Sequence, residues 1–511
     1  MTTIQYLSLT KGQRFLVDVG NFFKNFGKGF VGFFKSIPHK LMKLGHKISA
    51  PFFTLYDAWK KGSWMVRMNF GIFGFYQITH REVARGVLYL LYEIVFIWFL
   101  AVMGIPYLSK LGTLGTFSTS SMYLVDPTYG VADGAFKSGD TSFTILLYSL
   151  VTIFLAGIFV VLWYFSIRDA KSLQDNIAVG RLSKNSQFFK DLMDSKYHTV
   201  LLAVPLVGLV MFTVIPIVFM VITGFTNYNG SSRNILYDWV GFDNYRILFS
   251  GFGGDGGGGI VSIFFKILAW TLLWALIATF TNYFLGMVIA LLINKKGIKL
   301  KKLWRTVLIF TIAVPQFVSL MLINRMLSNV GFLSRIFENL GWIAANHSPF
   351  EYTTLARIII IVVNMWVGVP YTMLICSGIL MNIPEDLYES ARIDGASPFK
   401  MYTAITLPYM LFITGPYLLS QFVGNINNFN IIYLLSAGRP SFGLSSTLGY
   451  GDPGETDLLI TWIYKMSMES GAEKNYAMAC VLGVLVFLVI ATLSLIFYGR
   501  SNAVKNEEDF Q

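Results

Sequence analysis

The stretch YESARIDGASPFKMYTAITLP, residues 388–408, is polar and contains acids, although strongly apolar sequence flanks it on both sides. The longer segment 384–406, which we call the elbow, begins with a proline and two acids, as helices often do. Gly395 is typical of a helix end, and Ser397 followed by Pro398 is typical of a new N-cap and first turn. The elbow is therefore predicted to be helix, glycine turn and helix. An ordinary connecting loop is less favoured, because such loops usually have about two to eight residues.

The composition of the whole chain is typical of a multi-spanning membrane protein. Of the 511 residues, 54% are hydrophobic and only 13% are charged, roughly half the charged share of a soluble domain. The formal charge of +12 does not indicate nucleic-acid binding, because no soluble module is evident that would carry it. Cys376 and Cys480 lie in apolar runs and are predicted to pack in the core, with no disulfide framework or metal site.

Apolar stretches of 18 or more residues predict helices that cross a bilayer. Eight such stretches give an all-α, polytopic fold with about eight transmembrane helices. The fifth, sixth and seventh contain Pro315, Pro370 and Pro416, which neighbouring helices are expected to tolerate. The predicted spans are 86–107, 143–167, 199–224, 268–293, 304–325, 357–381, 407–427 and 477–498.

The basic residues orient these spans. Loops 168–197 and 294–305 each contain six Lys and Arg residues, and the positive-inside rule places such loops in the cytoplasm. With eight crossings, both termini and the elbow then share the cytoplasmic side of the cell membrane. The predicted division is a cytoplasmic basic segment (1–84), two transmembrane helices with a cytoplasmic loop (85–198) and a core domain with six transmembrane helices (199–511).

The N-terminal segment has an amphipathic pattern over residues 15–35. Phenylalanines recur on one side of the predicted helix and lysines on the other, a pattern suited to an anionic bilayer surface. Packing of these aromatic side chains on the protein itself is an equally favoured alternative. The glycine-rich stretch GFGGDGGGG, residues 251–259, lacks the Gly-Lys-Ser/Thr ending of a phosphate-binding loop. It is predicted to be a flexible connection.

The polar groups inside the spans are mostly uncharged. Glu93 is the one clear charged residue within a predicted span, and a paired structural carboxylate is favoured over a proton site. The sixth and seventh spans instead carry amides and aromatic side chains, which suit uncharged, hydroxyl-rich sugars. Hydrogen bonds between helices are the alternative role for each amide. These residues are Asn364, Trp366, Tyr371, Gln421, Asn425, Asn427 and Asn428.

The elbow resembles the EAA loop of ABC importer permeases, the coupling helix that sits in a cleft of a separate ATPase subunit. Ser390 stands where that motif usually has alanine. The resemblance extends over roughly residues 200–498, and the stretches 305–321, 363–380 and 427–440 resemble the maltose-type subunit. Arg439 replaces the usual second glycine of a Gly-Gly-Pro there. The residues that match the motif are Glu389, Ala391, Asp394, Gly395, Ala396, Ile405, Leu407 and Pro408.

The resemblance implies a transport subunit without catalytic residues, cofactor or metal of its own. Two partner ATPase subunits would bind ATP and magnesium, and a second permease subunit and an extracellular solute-binding protein would complete the importer. The substrate implied is maltose or maltodextrin. The residues implied in ATPase coupling are Glu389, Ser390, Ala391, Asp394, Gly395 and Ala396.

The resemblance also implies a sugar site on the sixth and seventh spans. Gly424 and Gln421 stand where a family member has an aromatic residue and a serine, which predicts a wider pocket for longer oligosaccharides. The implied sugar-binding residues are Gly368, Tyr371, Gln421, Gly424, Asn425 and Asn428.

Three other functions are less favoured. An ABC permease for another neutral sugar would share every feature above. An ion-coupled secondary sugar transporter would need a coupling-ion site and commonly inverted repeats, and neither is evident in the sequence. A membrane-anchored scaffold would work through the basic N-terminal segment.

Overall fold

The computed structural model describes residues 49–115, 141–180, 190, 193–194, 197–229, 236–250, 260–295, 297–443, 451–469 and 474–500. Within these ranges the protein is helical, with two isolated β-bridges and no strands. The prediction of an all-α fold is confirmed. The predicted amphipathic helix at 15–35 and the glycine-rich stretch at 251–259 lie outside the described residues.

The described part of the chain forms long apolar helices and short connecting helices. Single π turns occur within α4 and α6 and between α14 and α15. In chain order the helices are α1 (residues 49–61), α2 (Trp64–Met68), α3 (Phe75–Thr79), α4 (Val83–Leu108), α5 (Ser142–Ala178), α6 (Val200–Thr223), α7 (Asp243–Ser250), α8 (Ile260–Asn294), α9 (Lys301–Ala313), α10 (Gln316–Met326), α11 (Phe332–Asn339), α12 (Thr353–Leu380), α13 (Glu385–Ile393), α14 (Pro398–Met401), α15 (Leu407–Ile426), α16 (Phe429–Leu435), α17 (Leu459–Tyr464) and α18 (Tyr476–Arg500).

By length and composition, seven helices among the described residues can cross a membrane, and α9 with α10 makes an eighth if the bent pair is one span. The prediction of about eight transmembrane helices is therefore confirmed. The second span is longer than predicted, because α5 continues as one helix to Ala178. The first ten or so residues of the predicted loop 168–197 are thus helical.

The three prolines of the predicted spans behave differently. Pro370 and Pro416 lie inside the continuous helices α12 and α15, as expected. At Pro315 the expectation was wrong, because α9 and α10 meet there at an angle of 84°. Proline lacks the N–H of a helical hydrogen bond and disfavours the helical conformation of the preceding residue. Val314 is accordingly extended, with φ −81° and ψ 127°.

The chain divides into two compact units. The first comprises residues 1–110 and 147–213, and the second comprises residues 111–146 and 214–511. In the first unit, α1 to α3 pack against α5 around a small apolar core that includes Ala58, Val66 and Ile167. The three-part division predicted from the sequence stays a prediction.

Helix α8 lies at the centre of the second unit and packs against both α12 and α15. Its side chains Trp274, Tyr283 and Met287 are fully buried. The α12 residue Cys376 packs beside Tyr283 and Met287, and both Cys376 and Cys480 are free thiols. The opposite side of α8 is exposed and also apolar, with Leu273, Phe280 and Val288 between 44% and 49% exposed. Apolar residues on both sides of a helix are expected of a membrane span, since one side packs on protein and the other faces lipid.

Candidate functional site

The first half of the elbow is the helix α13, and its end is fixed by the backbone. Gly395 has φ +73°, a left-handed conformation that glycine adopts without steric cost. The N–H of Gly395 donates to the carbonyl of Arg392 at 3.0 Å, and the N–H of Ala396 donates to the carbonyl of Ala391 at 2.9 Å. These two bonds form a Schellman motif. The predicted glycine turn is therefore present in the structure.

The second half of the elbow leads directly into α15. The Ser397 hydroxyl accepts a hydrogen bond from the N–H of Lys400 at 3.3 Å and caps α14, as predicted. The hydroxyls of Tyr388 and Thr406 are 2.8 Å apart, and Thr406 is buried. This hydrogen bond joins the exposed helix α13 to Thr406, the residue immediately before α15.

The outer surface of the elbow is available to a partner protein. Four of the predicted coupling residues, Glu389, Ser390, Asp394 and Gly395, are exposed, and Ala391 and Ala396 are half-buried. Sequence reasoning missed two large apolar side chains beside them. Ile393 is 86% exposed and Phe399 is 76% exposed. Their position on either side of Gly395, in an otherwise polar stretch, was the signal that could have identified them.

The predicted sugar-binding residues of the seventh span lie on α15 and at the start of α16. Gly424 is exposed, with open space around the position of a Cβ atom, and Gln421 is half-buried one turn earlier. Asn425 is buried, and its side-chain amide donates to the Thr279 hydroxyl at 2.9 Å. Asn428 caps α16 and donates to Asn425 Oδ1 at 3.4 Å. The two asparagines therefore hold helices together in this structure, and their sugar contacts stay a prediction.

The predicted residues of the sixth span lie against α8. A Cβ atom at Gly368 would be 2.3 Å from Nδ2 of Asn282, so glycine lets the amide pack against the backbone of α12. Tyr371, one turn further on, is 51% exposed. Within the described residues, two buried amide atoms have no hydrogen-bond partner: Oδ1 of Asn282 and Nδ2 of Asn364. Unpartnered buried polar atoms are uncommon and costly.

Helix α8 connects the two predicted sugar-binding helices. Thr279 contacts α15 through Asn425, the Tyr283 hydroxyl bonds Thr414 at 2.7 Å, and Trp274 donates to the backbone carbonyl of Asn425 at 3.1 Å. Sequence reasoning missed Thr279 and Asn282, which stand in a long apolar run. Polar residues in such a run were the available signal.

The family model described as "Binding-protein-dependent transport system inner membrane component" matches residues 282–503. The maltodextrin transport system permease protein MdxF of Bacillus subtilis is 31% identical over 85% of this chain and 95% of its own length. The galactooligosaccharides transport system permease protein GanP of the same organism is 32% identical over 72% of this chain and 85% of its own. The maltodextrin permease protein MalC of Streptococcus pneumoniae is 28% identical over 85% of this chain and 95% of its own.

The chain belongs to the maltose-type family of ABC importer permeases. This permease is thus a multi-pass membrane subunit of a sugar importer, as the elbow and the spans predicted. The matched region includes α12, the elbow, α15 and all of α18. The coupling and sugar-binding roles of individual residues stay predictions.

The permease departs from the family pattern at Arg439, and the structure accommodates the change. Arg439 is not among the residues with positive φ, so no glycine is required there. Its Nε donates to the carbonyl of Ser436 at 3.2 Å. Gly438, by contrast, has φ +80°, and a Cβ atom there would be 2.2 Å from Oδ2 of Asp457. The first glycine of the pattern is therefore required sterically.

A buried ion pair lies in the same region of the permease. Asp457 Oδ2 is 2.7 Å from Lys465 Nζ and accepts from the N–H of Gly454 at 2.8 Å, while its Oδ1 accepts from the Thr461 hydroxyl at 2.8 Å. Burial raises the pKa of the Asp457 carboxyl above its ordinary value, and these donors counteract part of the rise. The pair ties α17 to the loop that follows α16.

Proposed function

We propose that this permease translocates maltodextrin-type oligosaccharides into the cell, driven by ATP hydrolysis on partner subunits. Two ATPase subunits that bind ATP and magnesium, a second permease subunit and an extracellular solute-binding protein complete the importer. Both termini and the elbow face the cytoplasm, where the ATPases engage the exposed surface of α13 and α14.

The observation that carries this proposal is the hydrogen bond between Tyr388 and Thr406. It connects the elbow to α15, the helix that bears Gln421, Gly424 and Asn425. When the ATPases close, they displace the elbow, and α15 moves relative to α8. A change of state requires that the ATPases bind the two conformations with different affinity.

The polar groups along the proposed sugar path favour an uncharged sugar as the substrate. Asn282, Asn364 and Gln421 are amides that can both donate to and accept from sugar hydroxyls. The exposed ring of Tyr371 offers an apolar face to a pyranose ring. The unpartnered Oδ1 of Asn282 and Nδ2 of Asn364 supply one acceptor and one donor.

The open space at Gly424 supports a preference for longer chains. A family member with an aromatic residue at this position would have a narrower path. We therefore infer that maltotriose and longer maltodextrins are accepted together with maltose. One relative is named as a galactooligosaccharides permease, so galacto-oligosaccharides are the alternative substrate to compare with maltodextrins.

The proposal is tested by uptake into proteoliposomes that contain the permease with its native partner subunits. We expect uptake of labelled maltodextrins of three to seven units with ATP supplied to the ATPase side, and no effect when the proton gradient is collapsed at constant ATP. Uptake that disappears with the proton gradient would instead indicate an ion-coupled transporter. Preferential uptake of galacto-oligosaccharides would replace the proposed substrate and leave the ATP-driven mechanism intact.

Gly424→Phe tests the chain-length preference in the same vesicles. A Cβ atom at position 424 has no neighbour within 4 Å, so assembly and maltose uptake should be retained, while the added ring narrows the path and uptake of long maltodextrins falls. Gly415→Ala, on the same helix and also in open space, is the matched control. Equal loss of maltose and long-chain uptake in Gly424→Phe would contradict the preference.

A further inference from the structure

A cavity of about 280 Å³ lies within the first unit, between α4, α5 and the segment that joins α2 to α3. Its wall contains one carboxylate, four aromatic rings and an aliphatic side chain. None of these residues belongs to the elbow or to the predicted sugar site. The lining side chains are Glu93, Phe70, Phe73, Phe159, Val160 and Trp163.

The carboxylate of Glu93 is 6% exposed and lies well inside the membrane-spanning helix α4. Its Oε2 accepts a hydrogen bond from the backbone N–H of Phe73 at 2.8 Å. Among the described residues, no Lys, Arg or His forms an ion pair with it. Arg85, at the start of the same helix, is engaged by Glu82 at 3.2 Å and by Asp169 at 3.0 Å. The paired carboxylate favoured from the sequence therefore has a backbone amide as its partner, not a cation.

Four aromatic rings line the cavity beside Glu93. Phe73 and Phe159 have centroids 4.8 Å apart, and Phe70 meets Trp163 edge to face at 5.8 Å. Trp163 Nε1 already donates to the carbonyl of Phe70 at 3.0 Å. Apart from one valine, the side chains that line the cavity are thus aromatic rings and one acceptor, and the one N–H donor among them, on Trp163, is already engaged. Aromatic faces and a carboxylate together are suited to an organic cation, above all an alkylated ammonium.

The size and position of the cavity restrict the ligand further. A volume of 280 Å³ lies just below the range of ordinary ligand pockets, about 300–1,000 Å³, so a head group fits and an oligosaccharide does not. Val160, at the edge of the cavity, is 57% exposed on a membrane-spanning helix. An apolar chain attached to the head group can leave past Val160 into the lipid.

We propose that this cavity is a binding site for an amphiphilic organic cation, with an alkylammonium head group between Glu93 and the four aromatic rings and an alkyl chain that passes Val160. The inference is independent of the transported sugar. The cation comes either from a lipid with an amine head group or from a free amphiphile.

The test uses the assembled transporter in phosphatidylglycerol nanodiscs and a dodecyltrimethylammonium probe that carries a photoreactive diazirine. We expect saturable labelling at residues 70–73 and 159–163, with little labelling there by a neutral dodecyl probe. Glu93→Gln keeps an oxygen for the Phe73 N–H but removes the charge, and it should lower saturable labelling at least tenfold. Asp57→Asn removes an exposed acid of the same unit and should leave labelling unchanged.

Two further arms complete the experiment. Val160→Trp closes the edge of the cavity at an exposed position, so it should abolish labelling even if Glu93→Gln assembles poorly. Nanodiscs with added phosphatidylethanolamine distinguish the sources, because competition with the probe identifies a lipid head group and absence of competition identifies a free amphiphile. Equal saturable labelling in wild type, Glu93→Gln and Val160→Trp, or none in wild type, would overturn the proposal and leave Glu93 as an anchor for Phe73.

Discussion

The hydroxyl groups of Tyr388 and Thr406 are 2.8 Å apart and join the exposed elbow helix to the buried start of α15. Tyr388→Phe removes this bond without changing the surface of the elbow. We expect the free energy of unfolding to fall by about 1 kcal/mol, with ATPase subunits still bound but sugar-stimulated ATP hydrolysis weakened. Tyr352→Phe loses a hydrogen bond of 3.0 Å far from the elbow along the chain and is the control. If sugar still stimulates ATP hydrolysis fully in Tyr388→Phe, this bond is not what connects the elbow to α15.

A Cβ atom at Gly395 has no neighbour within 4 Å in this chain, so a substitution there acts on the permease itself through the backbone. A side chain at φ +73° costs about 1 kcal/mol or more, and Gly395→Val should distort the turn and lower ATPase association in a pull-down assay. Gly378→Ala is the matched control, because it also has open space but no positive φ. If both variants retain ATPase association, the left-handed turn is not needed for docking.

Ile393 and Phe399 are expected to be anchors for the ATPase subunit. Both side chains are almost fully exposed, so Ile393→Ser with Phe399→Ser should leave the fold intact while affinity for the ATPase falls at least tenfold, about 1.4 kcal/mol. Co-purification and the midpoint of thermal unfolding measure the two effects. Leu340→Ser, at another exposed apolar residue, should change neither. A double variant that retains full ATPase binding would show that the small residues of α13 suffice.

Gly368 and Asn282 form a contact that an added methyl group disturbs. Gly368→Ala places a carbon 2.3 Å from the Asn282 amide, so the amide must move and sugar uptake should fall severalfold. Asn282→Ala in the same chain removes the collision and should restore stability, but uptake should stay low if the amide contacts sugar. Restoration of both stability and uptake would limit Asn282 to packing. The wild type, Gly368→Ala, Asn282→Ala and the double variant form a double-mutant cycle.

Asp457 and Lys465 are expected to stabilise the loop that follows α16 more than any exposed ion pair does. Asp457→Asn leaves a buried ammonium without its carboxylate, which costs about 3–5 kcal/mol. Adding Lys465→Met should recover much of this loss, because an apolar side chain needs no counter-charge there. Thermal unfolding in detergent measures the stability of the single and the double variant. If Asp457→Asn hardly changes stability, the ion pair contributes little.

The elements that the sequence predicted best are those with strong local signals. Gly395 and Ser397 set a helix end and a helix start by their own backbone and side-chain chemistry, and both are found where expected. Pro315 and Pro370 show the limit of local signals. Each is a proline in an apolar run, but one lies at an 84° bend and the other inside a continuous helix. Whether a proline bends the chain or lies inside a continuous helix depends on neighbouring helices, which the local sequence does not specify.

The candidate site was predicted only in part, for a similar reason. Apolar positions in a membrane protein face either lipid or another helix, so hydrophobicity alone did not show that α8 packs between α12 and α15. Thr279 and Asn282 became visible as partners of Asn425 and Gly368 only once the packing was known. Ile393 and Phe399 were missed because exposure of a large apolar side chain is a property of the folded elbow.

The bond between Asn425 and Thr279 has a consequence for an idle transporter. In the proposed mechanism, a sugar hydroxyl that reaches the Asn425 amide replaces Thr279 and so removes one of the three hydrogen bonds described between α8 and α15. The transported sugar would then itself weaken the contact between the two helices. A permease without sugar would keep this contact, and its ATPases would hydrolyse ATP only slowly.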